Sequence, residues 1–117
     1  MTLSVAAGTR IYLALEPTDM RKGFDGLAAQ VSHVLRRDPF SGQLFLFRGK
    51  RDRLKGLYCD GSGLCLFAKR LERGQFVWPR VKEGAITLTT AQLAMLIEGM
   101  DWRRAIVFED LNAPTAL

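Results

Sequence analysis

Three short apolar runs follow one another in the middle of the chain, and their spacing constrains the fold more than any other feature. They are Leu44–Phe47, Leu54–Cys59 and Leu64–Leu71, each bounded by turn residues. Arg48-Gly49-Lys50-Arg51-Asp52 separates the first two, and Asp60-Gly61-Ser62-Gly63 separates the second pair as a hairpin signal. Arg73-Gly74 leads to a further run, Gln75–Trp78, and Ala85–Leu88 reads as one more strand. This spacing predicts an antiparallel β-meander rather than βαβ units. Ahead of it, Arg10–Leu15 is a short β-rich run that Glu16-Pro17 ends.

Two segments switch to helical periodicity. Phe24, Leu27, Ala28, Val31, Val34 and Leu35 recur at three- and four-residue spacing, predicting a helix over about Lys22 to Arg37 with Asp19 as its N-cap. Arg36 and Arg37 fall near its C-terminus, where positive charge is favoured. Thr89 and Gln92 have the spacing of a capping box, ahead of a stripe formed by Leu93, Leu96, Ile97 and Met100. With 117 residues and 48% hydrophobic content, the chain suits one domain with one core. The expected fold class is α+β: an antiparallel β-meander sheet packed with two amphipathic helices, a single domain over residues 1–117. Its core would span about residues 8–102, with 103–117 a loose tail. Both helices are expected on one sheet face, leaving the other partly wet or against a partner.

Charge is distributed unevenly. Ten basic residues lie between Arg48 and Lys82 against three acidic ones (Asp52, Asp60 and Glu72), whereas the rest of the chain is slightly acidic. A concentrated patch of this kind attracts polyanions at long range. Arg48, Lys50, Arg51, Arg53 and Lys55 cluster in or beside one predicted turn, and Lys69, Arg70 and Arg73 flank the next strand end. If hairpin pairing brings these ends together, they form a continuous surface for phosphate contact. Phe45, Phe47, Tyr58, Phe67, Phe76 and Trp78 interleave with the cations and offer base stacking as a second mode. For Phe45 and Phe47 a buried central strand is the better explanation, since Leu44 and Leu46 face the other side and no ligand is needed.

No catalytic signature accompanies the patch. Gly61-Ser62-Gly63 lacks the Lys-Ser/Thr pair of a phosphate loop. His33 is the only histidine and sits inside a helical pattern; with Cys59 and Cys65 it makes no zinc site. The two thiols read as small core residues. Asp19, Asp25, Asp60 and Asp101 are candidates for magnesium, but Asp19 is better explained as a cap, Asp25 as a first-turn helix residue and Asp60 as a hairpin residue. The chain is therefore expected to be a non-enzyme with no catalytic residue, no metal, no cofactor and no small-molecule substrate. No run approaches the ~18 apolar residues of a membrane span. A cytoplasmic location is the corresponding expectation.

Several blocks resemble a bacterial mobile-element family. These are Asp19-Met-Arg-Lys-Gly-Phe-Asp-Gly-Leu27, Asp38-Pro-Phe-Ser-Gly42, Leu44-Phe-Leu-Phe-Arg-Gly49, Asp60-Gly-Ser-Gly-Leu-Cys-Leu-Phe-Ala-Lys-Arg-Leu71 and Phe76-Val-Trp-Pro79. In order and in content they are similar to the accessory protein (TnpB, the second open reading frame product) of insertion-sequence 66 type elements. That family is distinct from the RNA-guided nuclease sharing the name. The resemblance runs from about Gly8 to Trp102. It implies a role in DNA transposition beside a separate transposase that performs the strand chemistry. Within the first block, Arg21 and Lys22 are two cations beside a helix N-terminus, where an anion would relieve an unfavourable placement. They are secondary anion-contact candidates, with a salt bridge to Asp19 or Asp25 as the alternative.

The combined expectation is a non-catalytic accessory protein of DNA transposition. It would bind element ends through Arg48, Lys50, Arg51, Arg53, Lys55, Lys69, Arg70 and Arg73, with the element's own transposase as its second partner. The alternative is an interaction subunit that meets the transposase through the wet sheet face, with Phe45, Phe47 or Trp78 exposed there, and never touches DNA.

Overall fold

The computed structural model describes residue 3 and residues 5–104. Its elements run β1 (Ile11–Ala14), α1 (Phe24–His33), β2 (Leu44–Arg48), β3 (Arg53–Cys59), β4 (Leu64–Arg70), β5 (Ala85–Leu88) and α2 (Thr90–Ile97), followed by a 3-10 turn, Trp102–Arg104. The strands form one five-stranded sheet in the order β4-β3-β2-β1-β5. The β2–β3 and β3–β4 hairpins are antiparallel, as the spacing predicts. In the second hairpin Asp60 Oδ1 accepts from Ser62 N, Ser62 Oγ and Gly63 N, which fixes the turn and lowers the Asp60 pKa.

The sheet is nevertheless mixed rather than an antiparallel meander. β1 pairs in parallel with β2, Ile11 opposite Leu44 through Ala14 opposite Phe47. β5 returns to the far side of β1 and pairs with it antiparallel. A parallel neighbour needs a crossover, and α1 supplies it, so β1-α1-β2 is a βαβ unit inside an otherwise hairpin-built sheet.

That unit also corrects the expected layering. Tyr12, Ala14, Phe45, Phe47 and Leu57 form one core layer with Leu27 and Val31 of α1. Ile11, Leu13, Leu44, Leu46, Leu54 and Phe67 form the other with Leu93, Leu96 and Ile97 of α2, together with Phe76 and Trp102. The helices therefore cover opposite faces, and β1 and β2 are buried along their whole length. Phe45 and Phe47 have no exposed surface, as a central strand requires, which removes them from any interaction face. No helix among the described residues is long and apolar enough to cross a membrane.

Two local expectations change as well. Gln75–Trp78 is not a strand: Phe76 is buried, and the Val77 carbonyl accepts from Trp102 Nε1 at 2.7 Å. Asp19 does not cap α1, whose N-cap is Gly23 with no side-chain bond. By contrast, α2 begins with the expected capping box, Gln92 N donating to Thr89 Oγ1 and Thr89 N to Gln92 Oε1. Leu93, Leu96 and Ile97 of its stripe are buried, but Met100 is exposed. The proposed tail lies almost entirely outside the described residues.

α1 stops at a left-handed residue. Arg36 has φ 55°, and Arg37 N donates back to the Val31 carbonyl at 3.1 Å, a closure one residue wider than the Schellman motif. The arrangement carries the Arg37 guanidinium over the Tyr12 ring, 4.6 Å from its centroid. A side chain in this backbone region costs about 1–2 kcal/mol, part of which glycine returns as unfolded-state entropy. Arg36→Gly is expected to stabilise the fold by about 0.5–1 kcal/mol. Thermal or urea unfolding of the two proteins measures it, and a loss of stability would contradict the closure.

Candidate nucleic-acid interface

The β2–β3 turn is held from both sides by main chain. On its own hairpin, Gly49 N donates to the Arg53 carbonyl at 3.0 Å and Arg53 N to the Lys50 carbonyl at 3.0 Å. From one flank, Thr18 N donates to the Arg48 carbonyl at 2.9 Å. From the other, Leu71 N donates to the Asp52 carbonyl at 2.9 Å and Phe76 N to the Arg51 carbonyl at 2.7 Å. The segments 16–22 and 71–76 thus lie beside residues 48–53, and all three carry cations to one end of the sheet.

The 16–22 segment is itself anchored. Buried Gln30 of α1 donates to Thr18 Oγ1 at 2.8 Å and accepts from Lys22 Nζ at 3.2 Å. Lys55 Nζ donates to the Lys22 carbonyl at 2.8 Å, tying β3 to the same loop. Met20 packs over Gly49 so closely that a Cβ there would lie 2.5 Å from Met20 Cγ and 2.9 Å from the Arg53 carbonyl oxygen. Two shallow hollows meet at Met20 and Arg53. One is also lined by Asp19, Arg21, Lys50 and Asp52, the other by Lys55, Lys69, Arg70 and Glu72.

The ten candidate cations do not share one environment. Lys50, Arg51, Arg53, Arg70 and Arg73 are exposed at this sheet end, with Arg53 directly opposite Arg70 across the β3–β4 ladder. Their carboxylate neighbours are loose: Arg53 stands 3.9 Å from Asp52 and Arg70 3.6 Å from Glu72, all well solvated. Such exposed pairs hold their partners weakly, so a phosphate can replace the carboxylate. Lys55 is half-buried beside them. Lys69 borders the second hollow but turns its Nζ to Glu98, 3.8 Å away just beyond α2 on the other face of the sheet.

Arg21 and Lys22 are engaged. Arg21 forms a two-pronged ion pair with Asp19, Nη2 to Oδ2 at 2.8 Å and Nε to Oδ1 at 3.0 Å, while its backbone N–H donates to Oδ1 at 2.9 Å. These bonds hold the Asp19 carboxyl well below the usual carboxylate range and raise Arg21. The salt-bridge alternative for Arg21 is the one the structure contains, although its side chain stays exposed. The pair carries no net charge to the surface, but it braces the loop that frames it.

Arg48 needs correction. It is only 8% exposed and cannot belong to an open surface. Its Nη1 donates to the carbonyls of Pro79 at 3.0 Å and Leu15 at 3.3 Å, and its guanidinium lies 5.6 Å from the centre of the Trp78 ring. Burial without a carboxylate partner lowers its pKa. Its work is to join the ends of β1 and β2 to the segment before β5. The sequence hint was the strand alternation: Arg48 follows Leu44 and Leu46 on the covered face.

Among the described residues no three His, Cys, Asp or Glu side chains stand close enough to share a metal ion. Cys59 and Cys65 are unbonded; they sit on adjacent strands opposite Leu64 and Tyr58, and so project to opposite sides of the sheet.

Residues 9–106 match the family model for IS66 Orf2-like proteins. The chain belongs to that family. Among curated proteins, two from Sinorhizobium fredii are similar: "Uncharacterized protein y4hO", 50% identical over 95 residues covering 80% of this chain and 83% of the relative, and "Uncharacterized protein y4jC", 46% identical over 98 residues covering 83% and 84%. No solved structure matches the chain. Membership of the IS66 Orf2-like family associates the protein with transposition as an accessory product, and the family is not one of known catalysts.

Two substitutions separate scaffold from surface. Arg48→Ala leaves two carbonyls short of a donor and opens space under Trp78, so it should cost about 1–3 kcal/mol in urea unfolding. An unchanged unfolding curve would contradict this buried, carbonyl-bound setting for Arg48. Gly49→Ala pushes Met20 and the 16–22 loop outward and should cost about 1–3 kcal/mol. Met20→Ala in the same chain should recover only part of this, since the Arg53 carbonyl still blocks the new methyl; full recovery in a double-mutant cycle would refute that packing.

Proposed function

We propose that this protein is a non-catalytic accessory of transposition that docks on the DNA of its element and assists a separate transposase encoded with it. The docking surface is the sheet end carrying Lys50, Arg51, Arg53, Lys55, Arg70 and Arg73. The observation that supports this reading most is the convergence of three chain segments there. They bring together cations that are distant in sequence and, among the described residues, opposed by solvated carboxylates. Cations so placed contact phosphates with little desolvation, which gives position on DNA rather than sequence selection. Arg21, neutralised by Asp19, borders the surface; Lys69 and Arg48 contribute to the fold. Family membership supplies the biological setting, and the transposase is the natural protein partner in it. The alternative interaction subunit loses Phe45 and Phe47 from its proposed face, because both lie beneath α1, and keeps half-buried Trp78.

A salt titration tests the reading. With about four phosphates neutralised, affinity for element-end DNA should fall roughly a hundredfold between about 50 and 200 mM salt. The triple variant Lys50→Ala/Arg53→Ala/Arg70→Ala should bind more weakly and flatten the salt slope by roughly three. Binding unchanged in that variant would transfer the role to another surface.

A further inference from the structure

Resting on the DNA-docking reading above, we infer that the surface takes duplex DNA by its backbone, in preference to single strands and without reading bases.

The aromatic residues decide the first part. Those that interleave with the cations in sequence are turned away from the exposed ones in space. Phe45, Phe47, Phe67 and Phe76 are buried in the two core layers. Half-buried Trp78 lies against Phe76, 5.5 Å between ring centres, and beside the Arg48 guanidinium. Tyr58 borders a separate hollow with Val5, Thr9 and Asp60. Phe24 and Phe40 are the aromatics among the exposed large hydrophobic residues, and neither lines the hollows around Met20. Among the described residues the cationic surface therefore lacks the stacking platform on which single-strand binders depend.

What remains is a set of cations on stiff backbone. Arg53 and Arg70 are cross-strand neighbours, and Lys55 follows Arg53 two positions along the same side of β3, about 7 Å away. A pre-ordered array of this kind suits a pre-ordered ligand. A duplex presents one phosphate charge per ~1.7 Å of axis, against ~3.4 Å for each strand alone. A flexible strand would lose conformational freedom on the array with no stacking to offset it.

The helices decide the second part. Neither α1 (Phe24–His33) nor α2 (Thr90–Ile97) contains a Lys or Arg. A recognition helix would read base edges in the major groove through Arg, Lys, Asn or Gln turned toward it, and the strands that carry Arg53 and Arg70 are not a free two-stranded ribbon, since β3 also pairs with β2. Gln30 and Gln92, the amide side chains on the two helices, are both buried.

Fluorescence anisotropy with the full chain tests the inference. The probes are an element-end duplex, a scrambled duplex of equal length, and the separated strands, all at one low salt concentration. The expected result is duplex binding about tenfold tighter than either strand, with the two duplexes within about threefold of each other. Phe24→Ala and Phe40→Ala should leave duplex affinity within about twofold. Strands that bind as tightly as the duplex, or about a tenfold loss in either Phe variant, would overturn duplex preference while leaving DNA docking in place. Preference for the element-end duplex by about a hundredfold would overturn backbone-only recognition. Absence of binding to all four probes would instead overturn the DNA-docking reading itself.

Discussion

The parallel pairing of β1 with β2 is the constraint from which the other arrangements follow. Parallel strands end at the same edge of a sheet, so the chain leaving β1 at Leu15 emerges beside the turn that leaves β2 at Arg48. Thr18 N bonding to the Arg48 carbonyl is the direct consequence. Had β1 paired antiparallel, the 16–22 loop would lie at the opposite end, and Met20, Arg21 and Lys22 would have no contact with the basic turn. The same pairing requires a crossover, which places α1 on one face and leaves the other to α2 and the 71–84 segment.

Burial on both faces then sorts the cations. A strand covered on two sides can hold a charged residue only where polar groups receive it, and Arg48 finds two carbonyls and an aromatic face at the end of β2. One residue further the chain is in the turn, and Lys50 and Arg51 are free in solvent. β3 and β4 lie towards the open edge of the sheet, and α1 does not cover their outer end, so Arg53 and Arg70 can stand exposed side by side. The surface is thus a by-product of where the helices stop. Its charge comes from the sequence, but its shape comes from the loops that frame it.

Much of this was legible in the residues. Asp60-Gly61-Ser62-Gly63 specified a hairpin, Thr89 and Gln92 a helix start, and the apolar runs from Leu44 to Leu71 the three strands of two hairpins. Each of these is a local signal, settled within a few residues by turn geometry or a capping bond. The missed features are non-local. β1 is four residues long, and nothing within it declares which strand it will join or in which direction. Gln75–Trp78 has a strand-like composition, but Trp102, far along the chain, takes its Val77 carbonyl. Asp19 is well suited to cap a helix, yet a bidentate guanidinium two residues away competes for the same carboxylate and holds it.

The sequence alone determined the α+β class, the hairpins, the positive middle segment and the kinship with IS66 Orf2-like proteins, because these depend on residue type and short spacing. Only the tertiary structure decided that the sheet is mixed, that its aromatics are buried, that Arg48 is scaffold, and that the 16–22 loop stands beside the basic turn. The physical reason is that strand order and direction are chosen by the burial of both sheet faces together, a condition on the whole chain that no short segment carries.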